Sequence, residues 1–134
     1  MKKTAAFLSL LILLMMLGGC RMIKIEEAER TPLKYTVADR SQIPEEAAKL
    51  IEEKKEKEFQ MVYQKGEDLY LIKGYGRQMS GGYSIQVTDL SASVNAVFFE
   101  TKLIGPTEEV QGGEPSYPNS VVKTEYRDVP VQFR

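Results

Sequence analysis

Hydrophobic and polar positions divide the chain into three regimes. In the first, Lys2 and Lys3 precede an uncharged run, "AAFLSLLILLMMLGG", Ala5 to Gly19. About 15 apolar residues fall short of the roughly 20 that a helix needs to cross a bilayer core. A positive start, an apolar middle and small residues at its end predict a secretory signal peptide. In the second regime, Arg21 to Pro32, charge is dense and no period emerges. It reads as a tether of about 10 residues, reaching roughly 30 Å when extended. The third regime is periodic, and it carries the fold.

"LKYTVAD", Leu33 to Asp39, alternates well enough for a first strand. "PEEAAKLIEEKKEKEF", Pro44 to Phe59, predicts a helix. Pro44 suits its first turn, where the missing N–H has no partner to lose. Glu45 and Glu46 complement the positive end of the dipole, and Lys54, Lys55 and Lys57 the negative end. Ala47, Leu50 and Ile51 form an apolar stripe that Lys54 continues with its methylenes. The charge run Glu52 to Glu58 reads as a solvated face.

After the helix the period shortens to two. "FQMVYQ" and "DLYLIKGY" flank "KGED", a hairpin signal. In "YSIQVTDL", Tyr83, Ile85 and Val87 face one way and Ser84, Gln86 and Thr88 the other. "SVNAVFFETKLIG" is a longer strand that sets Phe98 and Phe99 on opposite faces, so both faces require cover. "SVVKTEYR" and "VPVQF" complete the chain. One helix among six or seven strands predicts an α+β fold, a compact and mainly antiparallel β domain with one amphipathic helix. About 100 ordered residues can bury a core large enough to fold alone.

The chain has 134 residues, no histidine and a single cysteine, Cys20. These absences remove Ser-His-Asp, Cys-His and His-ligated metal chemistry. Glu108 and Glu109 are adjacent in a Gly/Pro-rich loop and read as solvated charges. Glu100 lies in an apolar strand, where half-burial is expected, but a lone carboxylate makes no acid–base pair. No Asp-rich metal loop is present. The sequence therefore predicts no enzyme, no metal and no cofactor.

Cys20 ends "LGGC", Leu17 to Cys20, which resembles the lipobox of bacterial lipoproteins. The resemblance implies a thioether-linked diacylglycerol on Cys20, cleavage before it, and acylation such as palmitate on the new amino end. The expected organisation is then a signal peptide over 1–19, a lipidated tether over 20–32 and a folded domain over 33–134. Removing Lys2 and Lys3 from 18 basic against 19 acidic side chains leaves a formal charge of −3. Such a chain has no electrostatic reason to seek nucleic acid, and no polybasic segment for anionic lipid. Its membrane contact is expected through the lipid on Cys20. The expected location is the cell membrane, or the outer membrane if the host has one.

Two loops stand out, "GYGRQMSGGY" (Gly74 to Tyr83) and "GPTEEVQGGEPSYP" (Gly105 to Pro118). The first is not a dinucleotide cradle, because a strand and not a helix follows it. Its glycines suit a strand-to-strand connection. Gly76, Ser80, Gly81, Gly82 and Tyr83, followed by "SIQV", resemble the signature of the PrcB family, named for a subunit of a bacterial surface protease complex. The resemblance extends in order through a helix opening "PEE", through "LYLIKGYG" and Gly105-Pro106, to Ser116-Tyr117-Pro118 and Val121-Val122-Lys123. The chain departs from it at Met79, where proline is expected, and at Asn119-Ser120, where a Tyr-apolar pair is expected. It implies an envelope lipoprotein that accompanies or binds a protease or another surface protein.

The reading is a lipid-anchored, non-catalytic binding module. Arg77, Gln78, Met79, Ser80, Tyr83 and Tyr117 are its candidate contacts, and Gly76, Gly81, Gly82, Gly105, Pro106 and Pro118 shape the loops. The alternative is capture of a small ligand, such as a peptide end or a glycan, between those loops. Lipidation has a direct test: Cys20→Ser abolishes incorporation of labelled fatty acid into the full chain, and persistent labelling refutes the anchor.

Overall fold

A computed structural model describes residues 29–107 and 113–134. The expected signal peptide, Cys20, most of the expected tether and the Glu108–Glu109 pair lie outside the described residues. Among the described residues, eight strands and one helix follow one another as β1 (Thr31–Pro32), β2 (Tyr35–Val37), α1 (Glu45–Lys54), β3 (Glu58–Lys65) and β4 (Asp68–Tyr75). Then come β5 (Ser84–Ala92), β6 (Val97–Ile104), β7 (Asn119–Glu125) and β8 (Val131–Phe133). They build two four-stranded sheets, ordered β1-β5-β6-β8 and β2-β7-β4-β3. All pairings are antiparallel except β6 with β8. This is the α+β, mainly antiparallel domain with one short helix that the patterning predicts.

Strand β4 explains the layering. Its consecutive Leu69, Tyr70, Leu71 and Ile72 are all buried, as a strand covered on both faces requires. Leu69 and Leu71 join Leu90, Ala92, Val97, Phe99 and Val122 between the two sheets. Tyr70 and Ile72 join Ala38, Ala47, Ile51 and Val121 under the helix. The chain is thus three layers deep, with the sheet containing β4 in the middle.

The β3–β4 hairpin forms where "KGED" predicts it. Lys65 pairs with Asp68 across the two-residue turn Gly66-Glu67. Gly66 has φ +62°, while no non-glycine residue has positive φ, which is the type II′ pattern. In β5 the alternation holds as far as Thr88. There a bulge intervenes, since Val87 faces Thr101 and Asp89 faces Glu100. The extra residue changes which side chains face the core, so Val87, Leu90 and Ala92 all pack inward. Asp89 meets Arg30 at 3.2 Å.

Both faces of β6 are covered, as expected from Phe98 and Phe99. Phe99 meets Phe133 edge-on, with ring centroids 5.8 Å apart. Phe98 lies against two guanidiniums, Arg30 at 5.0 Å and Arg134 at 4.8 Å from its centroid. Its cover is cationic and comes from residues far apart in the sequence.

Five expectations are corrected. The helix stops at Lys54, and Glu58 and Phe59 belong to β3. Beyond Ile51 the stripe meets only charges, so nothing apolar holds further turns to the sheet, whereas Phe59 packs across Gly74 of β4. Pro44 caps the helix from outside, its carbonyl accepting the Ala48 N–H at 2.9 Å. The tether ends early, because Thr31 and Pro32 pair with Ala92 and Ser91 of β5. The β6 strand starts late, because Ser93 to Ala96 form the β5–β6 turn, closed by Ser93 N–H to Ala96 O at 2.9 Å. Glu100 is exposed, not half-buried.

The α1–β3 turn leans on one glycine. Gly76 has φ +73°, and a Cβ there would lie 3.0 Å from the Glu58 nitrogen and 3.1 Å from the Lys57 carbonyl carbon. Both are backbone atoms that cannot swing away. Gly81 has ordinary φ and open space around it. Gly76→Ala should therefore cost about 1–3 kcal/mol in chemical denaturation, while Gly81→Ala stays within about 0.5 kcal/mol.

Candidate functional site

The two glycine-rich loops meet. Gln78 and Ser116 form an isolated antiparallel bridge. Gln78 N–H donates to Ser116 O at 2.8 Å, and Ser116 N–H returns a bond to Gln78 O at 3.0 Å. The Ser116 hydroxyl donates to Ser80 O at 2.6 Å, and Tyr75 N–H to Pro118 O at 2.9 Å. The bridge continues the β4–β7 pairing, whose last registered pair is Gly74 with Asn119. The loops share one end of the middle sheet because β4 and β7 are neighbours there.

The remaining loop-shaping residues lock this end. Gly82 has φ +88° and runs so close to Pro106 that a Cβ would sit 3.0 Å from the proline Cβ. Gly105 lies beside the Tyr83 ring, 3.7 Å from where its own Cβ would stand. The Tyr75 hydroxyl hydrogen-bonds the Thr101 hydroxyl, tying β4 to β6 across the sandwich. This part of the first loop is a built structure against the second.

The candidate contact residues do not form one patch. Met79 is 78 % exposed, and the Arg77 side chain is exposed while its N–H donates to Glu56 O at 3.2 Å. Gln78 turns back, its amide donating to Tyr75 O at 3.0 Å. Ser80 is half-buried and holds Ser116. Tyr83 is half-buried beside Gly105. Tyr117 turns toward α1, where the Lys55 ammonium stands 4.7 Å from its ring centroid.

Tyr117 opens a second feature, a groove of about 370 Å³ lined by Arg40, Ile43, Ala48, Ile51, Glu52, Lys55, Tyr117 and Asn119. Ile43, Ala48 and Ile51 supply apolar contact, and the charges supply polarity. Lys55 pairs with Glu52 at 2.7 Å. That hydrogen bond holds the Glu52 carboxyl below the usual carboxylate range, with its charge attraction to Lys55 and to Arg40 adding to the effect. The same bond raises the Lys55 ammonium. Two cations and one carboxylate leave the groove net positive.

Sequence reasoning missed this groove. Ile51 read as helix stripe, Lys55 as a dipole complement, and Ala48 and Arg40 drew no reading. Only the arrival of Tyr117 against α1 makes them neighbours. A signal existed in "RSQIP", a cation and an isoleucine just before the helix.

Among the described residues, no group of three or more Cys, Asp or Glu side chains could hold a metal. No described helix is long and apolar enough to cross a membrane. No curated protein and no solved structure matches the chain. The model of the PrcB C-terminal family matches residues 69–125, from β4 to the end of β7. That span holds the first loop, its partner loop and the strands that bring them together, and over it the chain is similar to the PrcB C-terminal family.

Proposed function

We propose that the chain is a lipid-anchored, non-catalytic module of the cell envelope that binds a surface protease or another envelope protein. The PrcB C-terminal match over residues 69–125 carries this reading, because the family name marks a subunit associated with a protease. Lipidation at Cys20 would hold the domain at the membrane surface. The absence of histidine from the whole sequence supports a role in binding over one in catalysis. Arg77 and Met79 are the contacts of choice, being exposed side chains at the tip of a loop whose backbone is held on both sides. Arg and Met are favoured at interface cores, and loops fixed on a scaffold are where binding residues concentrate.

The groove beside α1 favours a second reading, capture of a small anionic ligand such as the carboxyl end of a peptide. Arg40 would meet the carboxylate, and Ile43, Ala48 and Ile51 an apolar terminal side chain. Both readings keep the domain non-catalytic and differ in the surface used.

Cross-linking in intact envelopes, followed by purification of the full chain, tests the first. Wild type should recover a protease or envelope protein that a folded Arg77→Ala/Met79→Ala variant loses by at least about tenfold, as interface anchors do. Equal recovery by both removes these residues from the contact. For the second, a short peptide with an apolar last residue should raise the melting temperature by several degrees near saturation. Its amidated form, or the Arg40→Ala variant, should show no such rise.

A further inference from the structure

The two sheets end in four edge strands, β1, β8, β2 and β3. Three are short: β1 has two residues, one of them Pro32, and β2 and β8 have three each. Short edges and edge prolines are ways of preventing strand addition. β3 is different. It has eight residues and runs in unbroken register with β4 alone. Its middle, Phe59 to Gln64, contains no charge, no proline and no bulge.

The hairpin register shows which backbone groups this edge presents. A two-residue turn closes on a hydrogen-bonded pair, and bonded pairs alternate along an antiparallel ladder. Bonded pairs therefore fall at Lys65–Asp68, Tyr63–Tyr70, Met61–Ile72 and Phe59–Gly74. The N–H and C=O groups of Gln60, Val62 and Gln64 point away from β4. They have no backbone partner among the described residues. Val62, midway between the glutamines, is 44 % exposed.

We propose that β3 pairs antiparallel with β3 of a second copy of this chain, about a two-fold axis at Val62. The β2-β7-β4-β3 sheets of the two copies would then join into one sheet of eight strands, with both helices on the same face. The strand is self-complementary in this register. Val62 faces Val62 of the second copy, and Gln60 faces Gln64, each pair exchanging both backbone bonds for about six in all. Between them Met61 faces Tyr63, on the face that packs against α1. Lys65 faces Phe59 and Glu58 faces Gly66, so no like charges meet. Centring the axis one residue earlier, on Met61, would set Lys57 against Lys65. An unrelated strand would need to supply this match, whereas a second copy already has it.

Cysteine cross-linking of the full chain in its own membranes tests the pairing. Val62→Cys should be captured as a dimer by a short bifunctional maleimide, while Gln86→Cys, exposed on the other sheet, stays monomeric. Adding Gln60→Pro to Val62→Cys removes only an outward N–H. It should cut the dimer about tenfold while the β3–β4 ladder survives. A second route leaves the backbone alone. Q60K/Q64K in the Val62→Cys background sets lysines face to face and should also lose the dimer, and co-expression with Q60E/Q64E should restore it. Val62→Cys cross-linking no better than Gln86→Cys overturns the proposal, as does a dimer indifferent to both sets of changes.

Discussion

The double burial of β4 is the constraint on which the rest of this molecule depends. A strand with apolar side chains on both faces cannot face water on either, so it needs a layer above and a layer below. Leu69 and Leu71 draw the β5–β6 sheet onto one face, and Tyr70 and Ile72 draw α1 onto the other. Neither outer layer packs extensively on the other, so each is held chiefly through the middle sheet. Covering a strand this way removes several large apolar side chains from water, at roughly 1.5–3 kcal/mol for each one fully buried.

The candidate surfaces sit at the ends and sides of that central strand. Where β4 ends, its pairing with β7 passes into the Gln78–Ser116 bridge, which fixes the first loop against the second. The exposed Arg77 and Met79 side chains are thereby carried on a backbone that is bonded on both sides of them. The same arrangement sends Tyr117 toward α1 and forms the groove with Arg40 and Lys55. To the side of β4, β3 is the last strand of the middle sheet and the only long edge among the described strands. The exposed loop tip and the long open edge are thus both set by the position of β4 in the middle sheet.

Much of this was legible in the residues. The β3–β4 hairpin follows from "KGED", because few two-residue turns match strand twist and glycine serves them. The demand for cover on both faces of β6 follows from adjacent phenylalanines. Other features were not legible, for definite reasons. The helix end at Lys54 depends on Phe59 being needed across Gly74, a contact between elements. The cover of Phe98 comes from Arg30 and Arg134, which no local period connects. The expected contact patch divided because Gln78 and Ser80 spend their polar groups inside the loop pair.

The sequence by itself determined the types of the main elements, the faces that are apolar, and the positions where only glycine lets the chain pass. These are local matters, governed by side-chain period and backbone sterics within a few residues. Only the tertiary structure decided which loop meets which, where Tyr117 points and which edge stays open. Strand pairing runs through backbone N–H and C=O groups that every residue but proline shares. Such bonds leave little mark on composition or period, so the partners they select become visible only once the sheets are assembled.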